Sequence, residues 1–194
     1  MDSAPPRVIL PGPGGPGVRI DLVENISGAA PQQPTSVTVA HTGTHLHVGF
    51  QCTDTRPWAT LTAHDAPLYT EETVEVFIDP FGDLQCYFEI EVNPLNAVLD
   101  LMLRRVGRGW QKTPRWHCDG LATQVAIAPP GWSAELAIPF ASLGAAPPAP
   151  GTVWRANFLR IDRPEGQPRE LSAWSPTGVN TFHAAGRFGF IEFE

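Results

Sequence analysis

The sequence has little of the material from which helices, membrane spans and disulfide scaffolds are made. No run approaches the ~20 apolar residues a membrane-spanning helix needs, and no stretch of useful length carries a helical period. Cys52, Cys86 and Cys118 are an odd set without CxxC spacing. That excludes a disulfide-stapled secreted scaffold and predicts free, mostly buried thiols. Lysine is almost missing: Lys112 stands alone beside twelve arginines, with no basic stripe to track a nucleic acid. A formal charge of −7 disfavours anionic membrane surfaces as well. There is no GxSxG, P-loop, GxGxxG or HExxH. The N-terminal MDSAPPRVILPGPGGPG lacks the charged and apolar regions of a signal peptide. The expectation is a cytoplasmic protein, or a secreted one whose signal has been removed.

What is present is proline, glycine and alternation. Twenty-one Pro and 18 Gly punctuate short alternating runs, the pattern of an all-β sandwich or barrel. The 194 residues suit one domain, with residues 1–17 an irregular lead-in. The most informative stretch is EETVEVFIDPFGDLQCYFEIEVNPLNAVLDLMLR, Glu71 to Arg104. It reads as a three-stranded antiparallel meander with turns at Pro80–Gly82 and Asn93–Asn96. Val74, Val76 and Ile78 share one face with Phe88, Ile90 and Val92, and with Leu99, Leu101 and Leu103. Glu75, Phe77, Glu89, Glu91 and Met102 fall on the other face, and pairing about the first turn sets Glu75 close to Glu89. Further hairpins are expected at Ser36–Cys52 and Leu121–Ile138, a long strand at Thr152–Asp162, and a closing strand at Phe188–Phe193. Trp132 and Trp154, inside alternating strands, read as core. Arg163–Leu171 reads as a polar loop.

Like charges opposed on a strand pair are destabilising. The Glu75 face is therefore either solvated or accepts hydrogen bonds from a hydroxyl-rich ligand. Two carboxylates also permit a glycosidase, with Glu75 paired to Glu89 or Glu91 across a sugar bond, although nothing distinguishes acid from nucleophile. Asp79 and Asp83 make an oxygen-rich turn of the kind calcium uses, with few of the 6–8 ligands it takes. His45 and His47, two apart on a strand, reach toward one point, but no neighbouring acid or thiol completes a metal set. Thr53–Tyr69 is long for an internal connection and carries Trp58, His64, Asp65 and Tyr69.

Several motifs recur in order: PLYTEETVEVFIDP, YFEIEVNPLNAVLDL, GWSAELAIPFASL, WRANFLRID, SAWSPT and FGFIEFE. Together, from about Val37 to Phe193, they resemble carbohydrate-binding module family 9 and its stand-alone bacterial relatives. The resemblance implies an immunoglobulin-like antiparallel β-sandwich related to DOMON domains. It implies non-catalytic binding of glucan- or xylan-type sugars, or their ends, between two aromatic side chains, and often a structural calcium. Carried onto this chain, Trp174 is one clamp residue and Tyr69 falls at or near the other, with Glu75 and Asn93 at the ligand's rim. A basic residue that the family places on the second strand is replaced by Glu91. The DOMON relationship adds a competing expectation, a b-type haem held by Met102 with His183 or Lys112.

Overall fold

The computed structural model describes residues 4–113, 115–164 and 168–194. The first three residues of the expected lead-in, Pro114 and residues 165–167 of the polar loop lie outside the described residues. Among the described residues, fourteen strands form two sheets, and the helical pieces are three short 3-10 turns. The larger sheet has nine strands. Its main path runs β1 (Arg7–Leu10), β14 (Gly189–Phe193), β12 (Val153–Asp162), β6 (Thr73–Asp79), β7 (Cys86–Val92), β8 (Val98–Val106) and β9 (Gly109–Thr113). β13 (Glu170–Ala173) pairs with β12 and with the two-residue β3 (Val23–Glu24). The smaller sheet orders β10 (Ala122–Ala128), β11 (Gly131–Pro139), β5 (His45–Thr53), β4 (Thr35–His41) and β2 (Val18–Asp21). Pairing is antiparallel except between β1 and β14.

The alternating apolar positions explain the sandwich. Val74, Val76 and Ile78 of β6, Phe88, Ile90 and Val92 of β7, and Trp154 and Phe158 of β12 form one wall of the main core. Leu46, Val48 and Phe50 of β5, Leu136 and Ile138 of β11, and Val37 and Val39 of β4 form the facing wall. This is two sheets interdigitating their inner faces. At one end, the fully buried Arg160 of β12 clamps the layers together. Its guanidinium reaches Asp54 at 2.8 Å, Asp162 at 2.9 Å, Thr35 Oγ1 at 3.1 Å and the Thr53 carbonyl at 2.9 Å.

One strand departs from the sequence expectation. Val92 pairs with Val98, so Glu91 stands opposite Leu99, Glu89 opposite Leu101 and Tyr87 opposite Leu103. Leu99, Leu101 and Leu103 therefore share the carboxylate face, while Asp100 and Met102 share the face of Ile90 and Phe88. The reason is that the large sheet is buried on both sides. A second apolar cluster, including Phe77, Tyr87, the three leucines, Leu159, Phe182 and Phe188, covers its outer face. Where both faces are covered, alternation no longer marks which one looks inward.

Candidate functional site

The outer face of the large sheet carries a floor of acids. Register places Leu159, Glu75, Glu91 and Leu99 side by side across four strands, and Asn157, Phe77, Glu89 and Leu101 in the next row. Glu75 is thus directly opposite Glu91 and diagonal to Glu89. Flanking leucines and the cover above them exclude water, leaving Glu75, Glu89 and Glu91 at most 2% exposed. One oxygen from each lies within 4.8 Å of those of the other two. Glu75 Oε1, Glu89 Oε2 and both Glu91 oxygens accept no hydrogen bond from the protein. A buried polar group in that state costs about 1–3 kcal/mol until a donor arrives.

These acids line a cavity of about 310 Å³ together with Tyr69, Lys112, Ile161, Arg169 and the segment Asn180–His183. Burial, then the charge of Glu89, pushes the Glu75 carboxyl well above the usual carboxylate range, against the pull of Arg169 and Lys112. Burial also raises Glu91, followed by the charges of Glu75 and Glu89. Both therefore hold protons at a pH where free glutamate has lost them. Burial lowers the pKa of His183, and Lys112 adds to that against the charge of Glu89. Its ring stacks 5.4 Å from Phe77, and the Tyr87 hydroxyl lies 2.6 Å from Nδ1. Burial raises the Tyr87 pKa, so the hydroxyl keeps its proton in this pair. Tyr69 stands at the rim, 40% exposed, with Lys112 Nζ 5.1 Å over its ring. A roomier groove of about 710 Å³ runs past Arg56, Trp58 and Pro164. Among the described residues, however, the buried carboxylates without a donor all face the smaller cavity.

This arrangement of sheets recurs in solved structures. A candidate carbohydrate-binding protein from Bacteroides uniformis matches with a TM-score of 0.78 and 18% identity, over 97% of this chain and 99% of that one. A family 9 carbohydrate-binding module from Caldicellulosiruptor kristjanssonii, solved with cellotriose, matches at 0.71 and 17% identity, over 97% and 93% of the two chains. A module of the same family and organism solved with glucose gives 0.70 and 16% identity, over 97% and 95%. The chain has the family 9 fold. No family model matches it, and no curated protein does.

On that fold the expected residues separate. Tyr69 and Glu75 meet at the cavity. Trp174 does not: it is 7% exposed, belongs to the inter-sheet core and packs 5.5 Å from the Phe158 ring. Ala173 pairs with Leu159 on the outer face, so the next residue turns inward. Its ring lies so close over Gly189 that a Cβ there would meet Cη2 and Cζ3 at 2.7 Å. The expected clamp wall is therefore corrected to a core plug. Asn93 is fully buried and absent from the cavity lining. Its amide donates to the Leu61 carbonyl and accepts from the Leu95 and Ala97 N–H groups, which closes the β7–β8 turn.

The proposed cation and haem ligands fare similarly. Both Asp79 oxygens accept backbone N–H groups, from Phe81, Gly82 and Leu84, and Asp83 accepts that of Gln85. That turn is built as a carboxylate-capped loop, and its donor set does not fit calcium. Met102 packs on the inter-sheet core, whereas His183 and Lys112 line the cavity on the opposite face of the same sheet. They cannot ligate one iron from opposite sides. The floor acids Glu89 and Glu91 were legible in the EIEV alternation. Arg169, Asn180 and Phe182 were not, because they arrive on loops without a periodic signal.

Proposed function

We propose that the protein binds a carbohydrate without turning it over, seating one end residue of a glucan- or xylan-type chain on the Glu75–Glu89–Glu91 floor. The observation that carries this reading is the set of buried carboxylate oxygens without donors, facing one cavity beside an exposed tyrosine. A pyranose supplies what they lack, a rim of hydroxyl donors around apolar C–H faces. Tyr69 offers a flat wall for such a face. Lys112, Arg169, Asn180 and His183 line the same cavity and bring donors for ring and hydroxyl oxygens. At about 310 Å³ the cavity suits a single end residue better than a run of chain, being at the low end of the ~300–1,000 Å³ typical of ligand pockets. The sugar complexes of the family 9 module support the same reading by analogy of fold.

Catalysis fits the geometry less well. A glycosidase sets its acids on two sides of the scissile bond. Here all three stand side by side on one sheet floor, one oxygen of each within 4.8 Å of the others. The test is a panel of glucose, cello-oligosaccharides and xylo-oligosaccharides, run for equilibrium binding and in parallel with aryl glycosides for turnover. Saturable one-to-one binding without turnover is expected. Turnover that is lost in Glu75→Gln would establish the enzyme instead.

A further inference from the structure

Two loops deliver one imidazole each to a buried aspartate. Asp100, on β8, is only 4% exposed. The Asp65 N–H donates to the Val98 carbonyl at 2.9 Å, which ties the loop between β5 and β6 to the start of β8. That contact brings His64 Nε2 to 4.0 Å from Asp100 Oδ2, with His64 Nδ1 3.1 Å from Asp65 Oδ1. From the other flank, the Cys118 N–H donates to Asp100 Oδ2 at 2.8 Å. It sets His117 Nδ1 3.4 Å from Asp100 Oδ1. The two rings are 5.7 Å apart, and one donor atom from each of the four side chains lies within 4.8 Å of the rest.

We propose that His64, Asp65, Asp100 and His117 form a binding site for a divalent transition ion of the zinc class. The separations of 3.1 and 3.4 Å match the edge of a tetrahedron, about 3.3 Å when the metal bonds are near 2.0 Å. His64, Asp65 and His117 are exposed enough to close the longer gaps by rotamer changes, while Asp100 is held by its backbone donor. Two adjacent imidazolium ions would repel one another. A single divalent ion takes both rings neutral and balances both carboxylates. Two imidazole nitrogens also select for a borderline metal over calcium or magnesium, which favour an all-oxygen shell. The ion would staple the long β5–β6 loop and the segment before β10 onto β8.

Metal-stripped protein titrated with Zn²⁺ by calorimetry tests this, with Co²⁺ as a visible-absorption probe of tetrahedral coordination. Wild type should bind one Zn²⁺ and melt higher with it. His64→Ala and His117→Ala should each bind at least about tenfold more weakly, since even second-shell losses reach that size. Both side chains are 53% exposed, so the metal-free variants should melt like metal-free wild type. Should one fail to fold, Asp65→Asn takes its place. His45 and His47 are another adjacent pair, with rings 6.0 Å apart. His47→Ala should leave binding unchanged. No Zn²⁺ bound by wild type, undiminished binding in both loop variants, or loss in His47→Ala instead would overturn the site.

Discussion

Trp174 and Glu91 show how one β-strand neighbourhood turns residue type into opposite roles. Trp174 fills the inter-sheet core against Phe158 and Gly189. Trp174→Ala should therefore cost roughly 3–5 kcal/mol of stability by leaving a cavity. Denaturant unfolding that shows less than about 1 kcal/mol would contradict the plug. Glu91 is fully buried without a donor, and its folded pKa is raised. The sign follows directly. A carboxyl with a raised folded pKa contributes its stability fully below the unfolded value near 4.5, and that contribution is lost as pH rises toward the folded pKa. Glu91→Gln should then gain stability relative to wild type at pH 8 more than at pH 5. An equal difference at both values would mean that Glu91 titrates normally.

The element that closes the site is the connection from β13 to β14. Its first residues are pinned by Asn157, whose amide donates to the Ser175 carbonyl at 2.8 Å and accepts the Ser175 N–H at 2.9 Å. Farther along, the buried Asn25 side chain holds Thr177 and the Val179 carbonyl, with contacts of 2.8–3.0 Å. Downstream of that latch, Asn180–His183 form one wall of the cavity. Asn25→Ala should destabilise the protein by about 1–3 kcal/mol and also weaken sugar binding. A stability loss with unchanged affinity would show that this wall does not touch ligand. None of this was readable from the chain, because Asn25 and Thr177 are 152 residues apart and neither lies in a periodic run. The meander was readable, since β6, β7 and β8 alternate cleanly and end in Pro, Gly and Asn turns. Its one misreading, the facing of the β8 leucines, came from a sheet covered on both sides. That same cover is what buries the acids and makes the site.

At the scale of the whole molecule, two layers are joined by a charged clamp that should respond to pH. Burial, then the Asp54 charge, pushes Glu72 up to about 8. Burial lifts Asp162 to about 6 in spite of Arg160. By the same sign, their stabilising contribution is complete below the ordinary carboxyl range and fades as pH rises through about 6 and then about 8. Thermal stability should fall between pH 5 and pH 8.5, and Glu72→Gln should flatten that slope; a slope unchanged in the variant would contradict the assignment. The sandwich was legible as a class from Pro, Gly and alternation. The clamp was not, since Arg160 falls on the Trp154–Phe158 face of WRANFLRID, where alternation expects an apolar side chain, and its partners Asp54, Thr35 and Thr53 come from distant segments. The central claim, that the buried acid floor is a sugar receptor, is tested most directly by titration calorimetry of wild type and Glu75→Gln side by side against the best sugar of the panel. Wild type should bind it saturably, one to one. In the variant the affinity should be weaker by about 0.5–1.5 kcal/mol, the size of one neutral hydrogen bond, at a melting temperature no lower than that of wild type. Equal affinity in the two proteins, or no sugar bound by the folded wild type, would contradict the claim.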